Sequence, residues 1–277
     1  MFEILCKKTL NEQVKLMDVF APHIAKKALP GQFIILRVYD KGERIPLTIA
    51  DCNKDKGTVT IIFQEVGKST ILLGQLEMGD KILDFVGPLG KPSHLDGFKK
   101  VAVVGGGVGC AIAYPQAKYL FSVGTKVDLI AGFRNKDLII LEDEMKNASS
   151  RLIICTDDGS NGNKGLVTEY LKKLIEEGNV YDAVIVVGPL IMMKFVSLLT
   201  KQYNIKTIVS MNPVMIDGTG MCGGCRLTVN GETKFACVDG PEFDGHLVDY
   251  DEAIRRSTMY KDIEKEHLCK LRGKNNA

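Results

Sequence analysis

The sequence predicts an antiparallel β-barrel, then an α/β domain with a doubly wound parallel sheet, then a small C-terminal segment. Three observations carry this prediction. Short apolar strands between turn residues fill positions 1–97, apolar strands alternate with helical segments over 98–211, and glycine and cysteine crowd 212–250. A charged, helix-prone tail with a polar, frayed end is expected at 251–277. The 277 residues suffice for two compact domains and a smaller third unit.

Six strands are predicted in the first domain, separated by turn residues such as Pro30-Gly31 and Gly79-Asp80. One short helix is expected at Ser69–Leu76. Short antiparallel strands leave no exposed edge when they close into a barrel. The predicted strands are Phe2–Leu10, Val14–Phe20, Gln32–Tyr39, Pro46–Asp51, Thr58–Gln64 and Lys81–Phe85.

In the second domain, five apolar strands alternate with four helices. Strands that are apolar throughout are typical of a parallel sheet covered on both faces. The predicted strands are Lys100–Val104, Lys126–Gly132, Arg151–Cys155, Ala183–Val187 and Thr207–Met211. The predicted helices are one from Gly109 to Phe121, then Asp137–Lys146, Gly165–Glu177 and Leu190–Lys201. In the C-terminal segment, a short strand Lys234–Val238 is expected to carry Cys237.

Composition excludes several classes of function. The formal net charge is +2, so neither nucleic acid nor an anionic membrane is indicated as a partner. The longest apolar run, Val101–Ala113, is broken by glycines and is too short to span a bilayer. The first residues lack the pattern of a signal peptide. Eight cysteines without secretion signals therefore indicate a reducing cytoplasm, with some of the thiols on metal.

The most specific pattern lies between Asp217 and Cys237. Cys222 and Cys225 have the C-x2-C spacing of a ferredoxin cluster loop, and Cys237 follows. Asp217 stands where a ferredoxin has its first cysteine. Thiolates are soft donors suited to iron–sulfur chemistry, and glycines let the backbone wrap closely round a cluster. The pattern predicts a [2Fe-2S] cluster on Asp217, Cys222, Cys225 and Cys237.

Two alternatives for this segment stay open. A C-x2-C pair with a third cysteine is also typical of a zinc site, in which His246 or Cys269 would be the fourth ligand. Asp217 is also a residue type common in turns, in which case water or another group would complete the cluster.

A glycine turn follows the first strand of the α/β domain and opens a helix. In Gly105-Gly106-Gly107-Val108-Gly109, the glycine backbone permits close approach of a pyrophosphate to the helix N-terminus. Many such turns are glycine-rich for packing alone. Gly188 and Pro189 end the fourth strand at the same edge of the sheet, where ligands bind in open α/β folds.

The charges at this edge favour NAD over NADP. Asp157 and Asp158 follow the third strand, and carboxylates there repel a 2′-phosphate but accept hydrogen bonds from ribose hydroxyls. The alternative is a solvated turn that caps the next helix. Arg134, after the second strand, is suited to a diphosphate or to a 2′-phosphate.

Two stretches of the barrel indicate a flavin site when they are taken together. In Arg44-Ile45-Pro46-Leu47-Thr48, the guanidinium can bind a diphosphate and the hydroxyl can reach a flavin nitrogen. Gly67-Lys68-Ser69-Thr70 opens the short helix with amides and hydroxyls suited to a second diphosphate contact. Either stretch alone is more typical of a surface turn.

With these motifs in this order, the chain resembles the ferredoxin–NADP reductase superfamily up to about Tyr250. Within it, the chain is similar to electron-transfer subunits with a C-terminal [2Fe-2S] cluster. These are the small subunits of NADH-dependent reduced ferredoxin:NADP oxidoreductase and of sulfide dehydrogenase, and the dihydroorotate dehydrogenase electron-transfer subunit. The last group has Cys at the position of Asp217, whereas one Asp with three Cys is characteristic of the first two.

The resemblance implies non-covalent FAD between the two domains and implies a role for each motif. Arg44, Pro46, Leu47 and Thr48 match the flavin motif, and Gly67, Ser69 and Thr70 match the FAD diphosphate segment. Gly105, Gly107 and Gly109 match the NAD(P) turn, with Gly188 and Pro189 beside the nicotinamide. The arginine lies one residue earlier than in the commonest family pattern.

The resulting expectation is a subunit that moves electrons between NAD(H), FAD and a [2Fe-2S] cluster. The family implies a large flavoprotein partner with its own FAD and [4Fe-4S] clusters, through which ferredoxin exchanges electrons, as in flavin-based electron bifurcation. Two alternatives are an electron-transfer subunit of dihydroorotate dehydrogenase or another oxidoreductase, and a zinc-stabilised nucleotide-binding regulator that is not an enzyme.

Overall fold

The computed structural model describes residues 1–274, so the last three positions of the predicted tail lie outside the described residues. The barrel strands begin and end close to the predicted positions because turn residues separate them. The elements of the barrel are β1 Phe2–Thr9, β2 Val14–Phe20, α1 Pro22–Ala25, β3 Phe33–Arg37, β4 Ile45–Asn53, β5 Thr58–Gln64, α2 Lys68–Gly74, β6 Lys81–Ile82 and β7 Asp84–Leu89.

The barrel is one antiparallel sheet in the order β6-β1-β2-β5-β4-β3-β7. The predicted sixth strand is two strands in the structure, since β6 pairs with β1 while β7 pairs with β3. A single chain segment therefore hydrogen-bonds both edges of the sheet, which closes it. Large apolar side chains such as Met17, Phe63 and Phe85 fill the interior.

The elements of the α/β domain are β8 Lys100–Gly106, α3 Gly109–Ser122, β9 Lys126–Phe133, α4 Glu142–Asn147, β10 Arg151–Thr156, α5 Val167–Glu176, β11 Ala183–Val187, α6 Leu190–Gln202, β12 Thr207–Ser210 and β15 Glu242–Asp244. They form a mixed sheet in the order β10-β9-β8-β11-β12-β15, in which β15 runs antiparallel to β12. The chain starts in β8 and proceeds first to one side and then to the other, so the order reverses between β8 and β11.

One predicted helix of this domain was wrong. Residues Asp137–Lys146 do not form a continuous helix, because a 3-10 turn at Lys136–Leu138 is separated from α4 by an extended stretch. Leu141 has a left-handed backbone with φ of 55°, and Ile140 and Leu141 are buried in the core beside α3. Burial of this pair outweighs the local preference for helix.

The C-terminal segment has its own hairpin and two helices: β13 Arg226–Val229, β14 Glu232–Phe235, α7 Tyr250–Arg256 and α8 Lys261–Lys274. The predicted strand Lys234–Val238 was wrong at its end, since β14 stops at Phe235 and Cys237 lies in the following turn. α7 packs on α6, whereas α8 reaches α2 of the barrel. Among residues 1–274, no helix is long and apolar enough to cross a membrane.

The three parts share their cores. Val14, Ala50 and Ile62 of the barrel pack in the same apolar cluster as α3. Phe33 and Ile35 pack in another cluster that includes Cys225 and Cys237. The boundaries predicted at 97, 211 and 250 stay predictions, because residues of all three parts contribute to common cores.

Candidate functional site

A cleft of about 1190 Å³ lies between the barrel and the α/β domain, a volume that suits a cofactor of dinucleotide size. It meets the sheet where the strand order reverses, between β8 and β11. Ligands of open α/β sheets bind at this switch point. The residues that line it include Asn11, Pro46, Leu47, Thr48, Thr70, Gly107, Gly109, Arg134, Asp157, Glu169, Lys172, Gly188, Pro189 and Pro241.

Of the predicted flavin residues, the structure brings Pro46, Leu47, Thr48 and Thr70 to the cleft wall. β4 presents the first three, and Thr48 pairs with Phe33 of β3. The Thr70 hydroxyl accepts the Val66 and Gly67 amides at 3.0 and 3.1 Å. Thr70 thus caps α2 at the edge of the cleft.

Arg44, Gly67 and Ser69 are not among the residues that line the cleft. The Arg44 side chain is exposed at the start of β4. The Ser69 hydroxyl donates to Glu43 at 2.7 Å. Before Ser69 can contact a ligand, that hydrogen bond has to be exchanged for one to the ligand.

The two predicted nucleotide turns are in direct contact. Gly109 opens α3 against the backbone of the β11–α6 turn, where a Cβ would meet the Val187 carbonyl oxygen at 2.5 Å. Gly107 has φ of 56°, and a Cβ there would meet nothing within 4 Å, so its backbone faces open space in the cleft. Gly105 lies outside the cleft lining and is required for packing, since a Cβ would meet Cys110 Sγ at 2.7 Å. The turn fits a pyrophosphate at Gly107 and Gly109.

Arg134 and Asp157 line the same cleft, after β9 and β10. The Arg134 carbonyl accepts a hydrogen bond from the Asp158 amide at 3.3 Å, which joins the two loops. Hydrogen bonds from the Ser160 amide hold the pKa of the exposed Asp158 carboxyl below its usual value. Asp158 is therefore a turn residue, and Asp157 is the carboxylate that lines the cleft.

Several residues of the cleft carry no motif that could have identified them from the sequence. Asn11 comes from the β1–β2 turn, and Glu169 and Lys172 from α5. Glu169 caps its own helix by accepting the Leu166 amide at 2.8 Å. These residues lie far from the glycine turns in sequence, so only the packing of the two domains brings them to the site.

The cysteine loop, residues 217–225 together with Cys237, packs against the barrel. A Cβ on Gly218 would meet Leu89 and Ile35 at 2.7 and 2.8 Å. Cys225 and Cys237 are buried with their sulfur atoms 3.3 Å apart. Burial, and then the neighbouring Cys225 thiol, raise the pKa of Cys237 to about 12. These two predicted ligands converge, whereas Cys222 is exposed.

The Asp217 carboxylate organises the loop by accepting hydrogen bonds from the Thr219 and Cys222 backbone amides at 2.9 and 3.0 Å. These hydrogen bonds lower the pKa of Asp217, and the bond from Thr219 has the larger effect. In the part of the chain that the structure describes, no three His, Cys, Asp or Glu side chains form a group that could hold a metal ion. The structure therefore brings together two of the four predicted ligands.

The chemistry of the loop nevertheless fits an iron–sulfur cluster. Two thiols converge, and the Gly224 amide points at Cys222 Sγ at 3.5 Å, as amides do towards cluster sulfurs. Neither candidate fourth ligand for zinc joins the loop. His246 Nε2 is paired with the Thr200 hydroxyl at 3.0 Å, and Cys269 lies on α8, which packs against the barrel.

Comparison with known proteins agrees with this architecture. Residues 212–249 match the model for the iron–sulfur cluster binding domain of dihydroorotate dehydrogenase B. The dihydroorotate dehydrogenase B (NAD(+)) electron transfer subunit homolog of Thermotoga maritima is 47% identical over 263 residues, which are 95% of this chain and 93% of that protein.

Two solved structures extend the comparison. A chain of an NADH-dependent reduced ferredoxin-NADP oxidoreductase, studied for flavin-based electron bifurcation, is 45% identical with a TM-score of 0.92 over 98% of both chains. A Neisseria gonorrhoeae ferredoxin NADP+ reductase, at 18% identity and TM-score 0.59 over 73% of this chain and 89% of that one, shares the fold alone. The predicted fold class and the predicted family resemblance are confirmed.

Proposed function

Because the chain belongs to the family of dihydroorotate dehydrogenase B electron transfer subunits and their homologues, we propose that it moves electrons between NADH and a partner oxidoreductase. It is an oxidoreductase electron-transfer subunit. The single observation that carries the finer proposal is that the chain has both a cleft at the switch point and a cysteine loop packed on Ile35 and Leu89 of the barrel. One chain thus combines a dinucleotide-sized cleft with thiols suited to iron.

Bound FAD exchanges a hydride with NAD(H) and releases electrons one at a time, and a [2Fe-2S] cluster carries single electrons. The residues of this chain supply position and electrostatics. Pro46, Leu47 and Thr48 form the barrel wall that would hold FAD. Gly107 and Gly109 would admit the pyrophosphate of NAD(H), and Gly188 with Pro189 would border the nicotinamide.

NAD(H) rather than NADP(H) is the proposed nucleotide because the Asp157 carboxylate lines the cleft. Arg134 on the neighbouring loop offers a cation for the diphosphate. Cys222, Cys225 and Cys237 are the proposed thiolate ligands, and Asp217 is the proposed fourth ligand. To bind iron, the Asp217 carboxylate has to direct one oxygen lone pair towards the cluster while it still accepts the loop amides.

An electron transfer subunit works with a partner, and the cysteine loop is the proposed docking face. Val214, Ile216 and Val238 border this loop with exposed apolar side chains, and Met221 within it is 88% exposed. The proposed partner is a large flavoprotein with its own FAD and [4Fe-4S] clusters that serves ferredoxin. Met221→Lys should weaken copurification of that partner, whereas Val180→Lys, at an equally exposed site at the amino edge of the sheet, should not.

An anaerobic preparation tests the function. Purified protein should contain flavin and iron, and NADH should bleach the flavin band faster than NADPH does. Cys225→Ser should lose the iron and keep the flavin, whereas Cys6→Ser in β1 should keep both. Zinc in place of iron would support the regulator alternative, and reduction by dihydroorotate in the native complex would support the dihydroorotate dehydrogenase alternative. A cytoplasmic location stays a prediction.

A further inference from the structure

A part-buried polar cluster, with Gln116 fully buried, lies where the barrel, the α/β domain and the C-terminal segment meet. It consists of Glu242 on β15, Ser93 in the connector between the two large domains, and Gln116 on α3. The Ser93 hydroxyl and the Gln116 amide nitrogen both donate to Glu242 Oε1. Gln116 also donates to Ser93 at 3.2 Å. A single carboxyl oxygen therefore links three chain segments separated by more than twenty residues.

The backbone around the cluster connects the same parts. The Ser93 amide donates to Pro30 of the barrel at 2.9 Å, and the Lys91 amide donates to Gly240 at 2.7 Å. A Cβ on Gly31 would clash with Ser93 and would meet Glu242 at 3.0 Å, so the barrel backbone seals the third side. Pro241, next to Glu242, lines the cleft. Glu242 is therefore adjacent in sequence to a residue of the cleft wall and close to the backbone contacts that join the connector to the C-terminal segment.

Within the described residues, the surroundings of the carboxyl contain hydrogen-bond donors but no cation in contact with it. The facing groups are the Ser93 hydroxyl, the Gln116 amide and the Gly31 backbone, all uncharged. The charged or titratable neighbours on the flanking elements, Lys91, His94 and Asp244, are exposed, and Lys118 on α3 is paired with Asp51 at 2.6 Å. Burial raises the pKa of Glu242 to about 7, against a smaller lowering by Ser93.

The hydrogen-bond pattern accommodates a proton on the carboxyl. Both donors meet Oε1, which leaves Oε2 to carry the proton. Gln116 Oε1 is buried and has no hydrogen-bond partner within the described residues, so the amide is oriented by its nitrogen contacts to Glu242 and Ser93. An ionised carboxylate here would be a buried charge stabilised by dipoles alone.

We propose that Glu242, whose carboxyl is held by Ser93 and Gln116, is a proton-linked positioning residue. It fixes the C-terminal segment against the two large domains. In the protonated state the three parts are held together, and ionisation draws water to the carboxylate and loosens the junction. The distance between the cysteine loop and the cleft wall is then no longer fixed. The identity of the cofactors at either end rests on the proposed function, but the junction itself does not.

Hydrogen–deuterium exchange of the cofactor-loaded protein tests this proposal at about pH 6 and about pH 8.5, with correction for intrinsic exchange rates. In the wild type, the amides of residues 90–95 and 238–244 should exchange roughly tenfold faster at the higher pH, as expected for local opening. Glu242→Gln keeps the shape and hydrogen bonds without a titrating group, so it should stay protected at both values. Glu242→Ala should exchange fast at both.

Asp18→Asn is the matched control, because Asp18 is a half-buried carboxylate that accepts a hydroxyl from Thr60 at 2.6 Å but lies within the barrel sheet. This variant should retain the pH response of the wild type at the junction. A wild type without a pH response, or a Glu242→Gln variant that keeps one, would overturn the proposal. Neither exchange result depends on electron transfer, so failure of the proposed function would leave this test intact.

Discussion

The close contact between the two nucleotide turns leads to a quantitative prediction for Gly109→Ala. A Cβ at this position would lie 2.5 Å from the Val187 carbonyl oxygen and 2.8 Å from Gly188 Cα, both of them backbone atoms. Side-chain rotation cannot relieve this overlap, so α3 or the β11–α6 turn has to shift. Overpacking of this kind costs about 1–3 kcal/mol. The expected fall in melting temperature is about 2–4 °C per kcal/mol.

The same shift separates the turns that flank the cleft. NADH binding should therefore weaken by about tenfold for each 1.4 kcal/mol of misfit carried into the bound state. Calorimetry gives the melting temperature, and titration of the flavin absorbance gives the NADH affinity. Gly273→Ala is the control, because a Cβ on this α8 residue meets nothing within 4 Å, and alanine should stabilise the helix by up to about 1 kcal/mol. Unchanged stability and NADH affinity in Gly109→Ala would refute the contact.

Three further predictions follow from single side chains. Asp157→Asn removes the carboxylate of the cleft and should raise the preference for NADPH over NADH by about tenfold, since a charge near a phosphate is worth about 1 kcal/mol or more. An equal preference in wild type and variant would count against Asp157 as the residue that selects NAD. The pKa of Glu242 is raised from 4.5 to about 7. The stabilising effect of the protonated carboxyl is therefore complete below pH 4.5 and is lost as the pH rises to about 7. The loss amounts to about 3 kcal/mol of unfolding free energy. Urea denaturation should show Glu242→Gln gaining that amount relative to wild type across this window, and parallel pH profiles would contradict it. Asp217→Cys replaces a hard oxygen donor by a thiolate and should change the midpoint potential of the cluster in an EPR-monitored titration, whereas an unchanged potential would speak against Asp217 as a ligand.

Local signals made most of the fold predictable. The barrel strands end at turn residues, and the parallel strands are apolar on both faces, so their bounds follow from the sequence. Elements set by distant contacts could not be predicted. β15 has only three residues and exists because it pairs with β12, and the helix expected at Asp137–Lys146 is interrupted where Ile140 and Leu141 enter the core.

The site divides in the same way. Gly107, Gly109 and Gly188 could be predicted because their residue type and their position at strand ends carry the information. Arg44 and Ser69, expected at the cleft from their motifs, are directed elsewhere in this structure, Ser69 by its bond to Glu43. The junction of Ser93, Gln116 and Glu242 had no sequence signal, because its members are 23 to 149 residues apart.

The proposed function requires that one chain hold both a flavin and an iron–sulfur cluster. A reductive titration with dithionite under anaerobic conditions, followed by absorbance and EPR, counts the electrons that each cofactor takes up. We expect three electrons per chain, two on FAD and one on the cluster, with loss of the single-electron component in Cys237→Ser. Uptake of only two electrons, with no EPR signal from a reduced cluster in protein shown to contain its full iron, would contradict it.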